Sequence, residues 1–279
     1  MVLFFSVAVA VAFSTGCSGT SGDKHQVVAA FYPLAFAAEQ VGGGKAVTNL
    51  TPPGAEPHDL ELSPGDVRRV IDARLVVYLG RGFQPALERA LDQRSGPSVD
   101  VLEGQSLASD PTGALDPHVW LDPIRFAAIT RAIANALGDP AGAVPLVKKL
   151  AVLDTEFRRG LSQCTRAELV TTHAAFGYLA ARYGLHQISL TGLAPEVEPS
   201  AAGLASLVRE VERSGATTVF TEPLVSPRLA ETVAREAGVT TATLNPIEGL
   251  TGAQLEAGDD YFSLMRANLV TLRKALGCR

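Results

Sequence analysis

The chain has 279 residues, of which 47% are hydrophobic and 19% charged, so it can bury a sizeable core and extensive disorder is excluded. Its net charge is −5, from 24 basic and 29 acidic residues, and no basic block that would favour nucleic-acid binding stands out. Three cysteines are too few for a disulfide-built scaffold, and one tryptophan argues against a platform that stacks bases or sugars.

An apolar run followed by a cysteine begins the chain. Residues 2–13 are almost entirely apolar, which suits the core of a secretory signal peptide but is too short to span a bilayer. The small residues before Cys17 resemble the lipobox of bacterial lipoproteins, although leucine is usual where Ser14 stands. The resemblance implies that residues 1–17 are a signal peptide, that Cys17 carries the lipid and that 18–26 is a tether. An ordinary signal peptide with an incidental cysteine is the alternative.

The remaining cysteines are interpreted from this extracytoplasmic location. Disulfides form in oxidising compartments, so we expect Cys164 and Cys278 to form one bond that ties the end of the chain to its middle. Two free thiols without a function are the alternative. Neither cysteine lies in a CxxC motif, so a redox or zinc-finger role has little support.

Short β-branched runs alternate with longer helical patterns along the rest of the chain. This alternation predicts an α/β fold with parallel sheets and helices on both faces. A helical stretch separates two groups of four runs, so we expect two lobes of about four strands each. The predicted strands are residues 27–31, 46–50, 75–79, 98–102, 168–172, 187–190, 217–221 and 240–244.

The helices have clear start and stop signals. A serine or aspartate followed by proline supplies an N-cap and a first helical residue, and glycine commonly follows a helix end. Between the two strand groups, leucine and phenylalanine recur every three or four residues over roughly 142–161, which predicts one long helix. We expect an N-terminal lobe over 27–140, a linking helix over 141–163 and a C-terminal lobe over 164–279. The predicted helix starts are Ser63-Pro64, Asp122-Pro123 and Ser226-Pro227, with Gly138 and Gly238 after the second and third helices.

Three of the five histidines follow predicted strands. His58 follows the second strand, His118 follows the fourth, and His173 follows the fifth, where it opens a helix predicted over 174–183. Ligands of open α/β sheets bind at the carboxyl ends of strands, so these side chains can converge in a cleft between the lobes. Three neutral imidazoles suit Zn²⁺ and other borderline first-row ions. For each histidine taken alone, capping a helix or binding a loop carbonyl is the simpler explanation.

Five segments occur in a characteristic order: the loop around His58 and residues 116–123, 171–179, 220–222 and 244–250. Together they resemble the metal-binding receptors of bacterial ABC importers, the zinc/manganese solute-binding family. The resemblance covers almost all of the chain after the tether. It implies two α/β lobes joined by one long helix, with the metal in the cleft between them.

The resemblance also implies a ligand set and partners. His58, His118 and His173 would bind the metal, and a membrane permease with its ATPase would receive it. We expect a lipid-anchored monomer outside the cytoplasmic membrane that binds no nucleic acid. The fourth ligand in many members is an aspartate, and Asn245 stands at the matching position. We expect Asn245, or a water in its place, to complete the site with lower affinity than aspartate would give.

Two further features qualify the site. Glu222 lies at a strand end and is expected to support the metal ligands without binding the metal itself. Capping a helix or lying at the surface is the alternative. The histidine-rich loop of many zinc-specific members is missing from residues 104–115. Three imidazoles and a neutral amide favour Zn²⁺ over Mn²⁺, because carboxylates suit manganese better. A zinc receptor is therefore the expected function, and a manganese receptor is the alternative.

Other classes of protein fit the sequence less well. A three-histidine zinc hydrolase needs a general base, and no glutamate stands in an HExxH-like relation to a histidine. We therefore expect no enzyme. A siderophore or corrinoid receptor would call for an aromatic, arginine-lined cleft, and an additional role as a surface adhesin stays open. The glutamates that a hydrolase could use are Glu196, Glu198, Glu222 and Glu248.

Overall fold

The computed structural model describes residues 26–43, 47–110, 112–195 and 199–279. The predicted signal peptide with Cys17 and nearly all of the tether lie outside the described residues, as do Glu196 and Glu198. Within the described ranges, none of the helices combines the length and the apolar composition that crossing a bilayer requires.

The chain forms two four-stranded sheets in which all neighbouring strands are parallel, which confirms the predicted fold class. The strands are β1 (Val27–Ala29), β2 (Val47–Asn49), β3 (Leu75–Tyr78), β4 (Ser98–Asp100), β5 (Glu168–Thr171), β6 (His186–Ser189), β7 (Thr218–Thr221) and β8 (Thr240–Thr243). The strand orders are β2-β1-β3-β4 and β6-β5-β7-β8, so one topology occurs twice. In each sheet the order reverses between the first and third strands, at the kind of switch point where ligands bind.

Ten helices lie in the described part of the chain, and the predicted starts at Ser63-Pro64 and Asp122-Pro123 are confirmed. The Asp122 side chain accepts hydrogen bonds from the first-turn amides, and Gly138 ends that helix with a φ of 76°. One start differs, since Pro227 is itself the N-cap and the helix begins at Arg228. The helices are α1 (Tyr32–Val41), α2 (Pro64–Asp72), α3 (Pro85–Leu91), α4 (Pro123–Leu137), α5 (Ala143–Leu161), α6 (Gly177–Tyr183), α7 (Ala201–Ser214), α8 (Arg228–Glu236), α9 (Gly252–Ala257) and α10 (Tyr261–Leu276).

Helix α5 is the predicted long helix between the two groups of strands. Its apolar stripe is buried in a core cluster that also includes Val28 of β1, Leu169 of β5 and Leu272 of α10. Because one core spans both lobes, the cleft between them is held by packing as well as by the chain connection. The exact limits of the lobes, at residues 140 and 164, stay a prediction.

The predicted disulfide is confirmed: Cys164 and Cys278 are bonded across 114 residues of sequence. The bond joins the end of α10 to the segment before β5. Neighbouring backbone hydrogen bonds from Thr165 and Arg166 to the Leu276 carbonyl reinforce the same junction.

Replacing both cysteines by serine is expected to lower the free energy of unfolding by about 2–5 kcal/mol, because the bond closes a long loop in the unfolded chain. Thermal unfolding of Cys164→Ser/Cys278→Ser beside the reduced and oxidised parent measures this loss. Metal affinity should be unchanged, since Cys164 precedes β5 and His173 follows the opposite end of that strand. Equal stability of variant and oxidised parent would show that the bond does not constrain the unfolded chain.

Candidate metal centre

The three predicted histidines converge in the cleft, together with a glutamate. His58 and His118 come from the N-terminal lobe, and His173 and Glu248 come from the C-terminal lobe. One potential ligand atom from each lies within 4.8 Å of all the others. The side chains of His118 and His173 are fully buried, and that of His58 is 11% exposed. The centre is therefore shielded from solvent and opens on the side of His58.

His58 lies in a short 3₁₀ turn, Pro57–Asp59, that follows β2. The Glu56 carboxylate accepts a hydrogen bond of 3.2 Å from the His58 backbone N–H and caps this turn. Buried Gln84 donates its amide to the Pro57 carbonyl at 3.1 Å, which fastens the turn to the start of α3. The imidazole packs edge-on against the Phe83 ring, with centroids 4.6 Å apart. The loop is thus held by the rest of its own lobe.

His118 is oriented by a carboxylate two residues before it. Asp116 Oδ1 accepts hydrogen bonds from the His118 backbone N–H at 2.9 Å and from the ring Nδ1 at 2.8 Å. With Nδ1 occupied as a donor, Nε2 is left as the free lone-pair atom and points into the centre. Tyr178 of α6 donates its hydroxyl to the Asp116 carbonyl at 2.8 Å, so the C-terminal lobe supports this arrangement.

His173 follows β5 and has a carboxylate of its own. Glu222, which follows β7, lies with Oε2 at 2.6 Å from the His173 Nδ1 and accepts the His173 backbone N–H through Oε1 at 3.1 Å. The helix predicted over 174–183 begins only at Gly177. Thr171 and Gln187 donate to the His173 carbonyl, at 2.7 and 3.0 Å, and so keep it from starting a helix. The predicted helix start was wrong, and the turn that replaces it orients the imidazole.

Glu248 supplies the fourth corner of the centre. Its Oε1 lies 3.4 Å from the Nε2 of His58, 3.3 Å from that of His118 and 3.4 Å from that of His173. A tetrahedral site with bonds of about 2.0–2.1 Å has edges of about 3.3–3.4 Å. Glu248 Oε1 therefore stands at a tetrahedral spacing from all three nitrogens. The arrangement fits a small cation that takes three nitrogens and one oxygen.

The same atoms lack hydrogen-bond partners in the described part of the chain. The buried Nε2 atoms of His58, His118 and His173 and both carboxylate oxygens of Glu248 belong to this group. Buried polar atoms are normally satisfied, since an unpaired one costs about 1–3 kcal/mol. Several unpaired atoms that face one point indicate a ligand that satisfies all of them.

The neighbouring carboxylates favour the protonated forms of two of the histidines. Burial lowers the pKa of His173, but Glu248 and Glu222 outweigh burial and raise this pKa well above its ordinary value. Burial likewise lowers the pKa of His118, and Asp116 together with Glu248 raises it by more. A cation at the centre therefore competes with protons for these two rings.

The pKa values of His58 and Glu248 are lowered, whereas that of Glu56 is raised. Burial lowers the pKa of His58, and the nearby Glu248 only partly offsets this effect. Burial raises the pKa of Glu248, but the three histidines lower it to well below its ordinary value, so Glu248 is a carboxylate at neutral pH. Burial and the charge of Glu248 raise the pKa of Glu56 to about 8. At neutral pH the centre thus contains the negative charge of Glu248 and a largely neutral Glu56.

Contacts between the lobes fix the two halves of the centre against each other. Trp120 donates its indole N–H to the Pro246 carbonyl at 2.8 Å, and Tyr261 donates its hydroxyl to the Trp120 carbonyl at 2.7 Å. An ion pair joins Arg182 of α6 to Asp122 at the start of α4. The segment that bears His118 is therefore tied directly to the segment that bears Glu248.

Asn245, the predicted fourth ligand, makes a hydrogen bond to the backbone with its side-chain oxygen. Its Oδ1 accepts a hydrogen bond of 2.7 Å from the Ile247 backbone N–H. Glu248, three residues further on, reaches the three histidines. From the sequence, Glu248 was expected only as the base of a hydrolase, and Asp116 was not predicted to take part. Both lie within segments that resemble the family. A carboxylate in such a segment is the sequence feature that could have identified them.

Comparison with known proteins gives consistent matches. The model of the ZnuA family, described as zinc-uptake complex component A, periplasmic, matches residues 27–275. A zinc-binding lipoprotein, AdcA, of Streptococcus pneumoniae is 34% identical over 94% of this chain and 58% of that protein. The zinc uptake protein ZnuA of Bacillus subtilis is 32% identical over 94% of this chain and 90% of its own length.

A solved structure shares both fold and sequence with the chain. The Zn(II)-bound ZnuA-like domain of S. pneumoniae AdcA is 36% identical, with a TM-score of 0.77 over 90% of this chain and 98% of that domain. The chain spans 56% to 58% of the length of the streptococcal relatives it matches. The similarity therefore concerns one part of those longer proteins.

Proposed function

The chain belongs to the ZnuA family of zinc-uptake components, and we propose from this membership that it is the extracytoplasmic zinc receptor of an ABC importer. The family is one of substrate-binding receptors rather than enzymes. Zinc is then the cargo: the chain captures the ion in its cleft and passes it to a membrane permease driven by an ATPase. The lipobox-like segment before Cys17 supports a lipid anchor that holds the receptor at the membrane.

The observation that carries this proposal is the position of Glu248 Oε1, 3.3–3.4 Å from three imidazole nitrogens that lie within 4.8 Å of one another. We propose His58, His118, His173 and Glu248 as the ligands. Zn²⁺ favours four-coordinate sites rich in imidazole, whereas Mn²⁺ favours oxygen ligands and higher coordination. A zinc receptor therefore fits the centre better than a manganese receptor. All four protein ligands leave no open position for a reacting water, which supports cargo binding over hydrolysis.

Competitive titration of the metal-free chain with Zn²⁺ and Mn²⁺ tests the proposal. We expect one zinc ion per chain, bound at least about a hundredfold more tightly than manganese. His173→Ala should abolish tight binding. His186→Ala is the matched control, because His186 is exposed at the start of β6 and takes no part in the centre. Tighter manganese binding would favour the manganese alternative, and no binding of either ion would refute the receptor function.

Glu222 is proposed to orient His173 and raise its basicity from behind the metal. Glu222→Gln is expected to weaken zinc binding about 10- to 100-fold, the range found for such supporting groups. Glu231→Gln is the control, since Glu231 is an exposed glutamate on α8. An unchanged affinity in Glu222→Gln would reduce Glu222 to a structural role.

A further inference from the structure

The segment that carries Glu248 has an unusual backbone. Ile247 has a φ of 57° and is one of two non-glycine residues with positive φ in the described part of the chain. A β-branched residue rarely adopts this left-handed conformation, because its side chain crowds the backbone. Such a conformation persists only where the surroundings impose it, and it is commonly found at functional sites. The residue immediately after Ile247 is the proposed ligand.

Asn245 imposes this conformation from the N-terminal side. Its side-chain oxygen accepts the Ile247 backbone N–H at 2.7 Å, which closes a side-chain turn over the two peptide units between them. Asn245 is itself fixed by Asn268 of α10. The Asn268 side chain accepts the Asn245 backbone N–H at 2.8 Å and donates to the Asn245 carbonyl at 2.7 Å. The acceptor is thus held in place by a helix, independently of any metal.

The flanking residues complete the turn. The Pro246 carbonyl accepts the indole N–H of Trp120, and the Ile247 side chain is fully buried. The carbonyl and the N–H of the peptide between Pro246 and Ile247 are therefore both hydrogen-bonded. The backbone direction at Glu248 is thus determined before a metal arrives. The Glu248 side chain is 1% exposed, and its Oε1 lies 3.3–3.4 Å from three imidazole nitrogens. An extended backbone at residue 247 would send that side chain in another direction.

We propose that Asn245 is a positioning residue that holds Ile247 in the left-handed conformation and so presents Glu248 to the metal. This inference rests on the proposed function, because it takes Glu248 as a zinc ligand. It assigns to Asn245 a role different from coordination. The buried Asn245 Nδ2 has no hydrogen-bond partner within the described residues. Among those residues the side chain therefore makes its hydrogen bond through Oδ1, to the Ile247 N–H.

Two substitutions at residue 245 give opposite expected results. Asn245→Ala removes the acceptor and is expected to weaken zinc binding about 10- to 100-fold, as the strained conformation is released. Asn245→Asp keeps an oxygen that accepts the same hydrogen bond, so its affinity should stay within about threefold of the parent. Asn135→Ala, an exposed asparagine on α4, is the control for the loss of an amide.

A second-site substitution separates positioning from general stability. Glycine adopts positive φ without strain, so Ile247→Gly in the Asn245→Ala background should recover affinity to within about threefold of Ile247→Gly alone. The same substitution removes a buried side chain and should lower the unfolding temperature of the metal-free protein further. Tighter zinc binding in a less stable protein is a result that a purely structural role of Asn245 would not produce. If Asn245→Ala does not fold, Asn245→Ser and its Ile247→Gly double variant replace it.

The titrations distinguish failure of this inference from failure of the receptor function. A parent chain that binds no zinc would refute both. A parent that binds zinc, with Asn245→Ala unchanged or with no recovery in the double variant, would refute the positioning role alone. A tenfold or greater gain in Asn245→Asp would also refute it, because that gain is the expected behaviour of a direct ligand.

Discussion

Glu248→Gln is expected to weaken zinc binding by about a hundredfold or more, equivalent to about 3 kcal/mol. The substitution keeps the shape of the side chain but removes the negative charge that faces the cation in a fully buried site. Electrostatic attraction is strong there because little water screens it. The remaining ligands would be three neutral imidazoles and a neutral amide. Titration against a chromophoric zinc chelator measures the change.

Glu256→Gln is the matched control for this substitution. Glu256 is an exposed glutamate on α9, eight residues further along the chain, and should leave the affinity unchanged. A Glu248→Gln variant with the affinity of the parent would exclude the carboxylate as a ligand. The fourth corner would then belong to Asn245 or to a water molecule.

Zinc affinity is expected to fall by about a hundredfold or more between pH 7.5 and 5.5. The pKa values of His118 and His173 are raised above the ordinary value, so both rings take up protons in the metal-free chain as the pH falls, beginning above pH 6.5. Zinc requires the unprotonated rings, and each proton that it displaces weakens binding about tenfold per pH unit. His58, whose pKa is lowered, competes only at lower pH. Binding is therefore strongest at the alkaline end of this range.

Calorimetry in buffers of different ionisation enthalpy gives an independent measure, as about one to two protons should be released per zinc ion at neutral pH. Glu248 does not contribute, because its lowered pKa keeps it ionised throughout the range. Circular dichroism at pH 5.5 checks that the metal-free chain stays folded. An affinity that is flat over this range, with no proton release, would exclude the histidines as ligands.

The three histidines of the centre differ in exposure and in what supports them. The two histidines with raised pKa values are the buried ones, and each has a carboxylate behind its Nδ1. His58 is the most exposed of the three and is attached to a loop of the N-terminal lobe. The segments of His118 and Glu248 are joined through Trp120 and Pro246, and His173 lies against Glu222.

Local sequence signals were sufficient to predict the fold class and to predict that the three histidines lie close to one another. Alternating strand and helix patterns predict parallel sheets, and the carboxyl ends of parallel strands meet at one edge. His58 and His118 follow strands of one sheet and His173 follows a strand of the other, so topology places each at the ligand-binding edge of its own sheet. The Cys164–Cys278 bond followed from the compartment, and the capping of α4 by Asp122 from the residue types alone. These features depend on residues that are near in sequence or on general rules of connection.

Tertiary structure determines which residue supplies the fourth ligand atom of the centre. The family resemblance pointed to Asn245, which lies two residues after the end of β8, and not to Glu248, three residues later. The left-handed conformation of Ile247 reverses that preference, and no local propensity favours such a conformation in isoleucine. It exists because Asn268 and Trp120, from distant parts of the chain, fix the residues around it. The amino-acid sequence by itself determined which strand ends meet, whereas packing between the lobes determined which oxygen faces the metal.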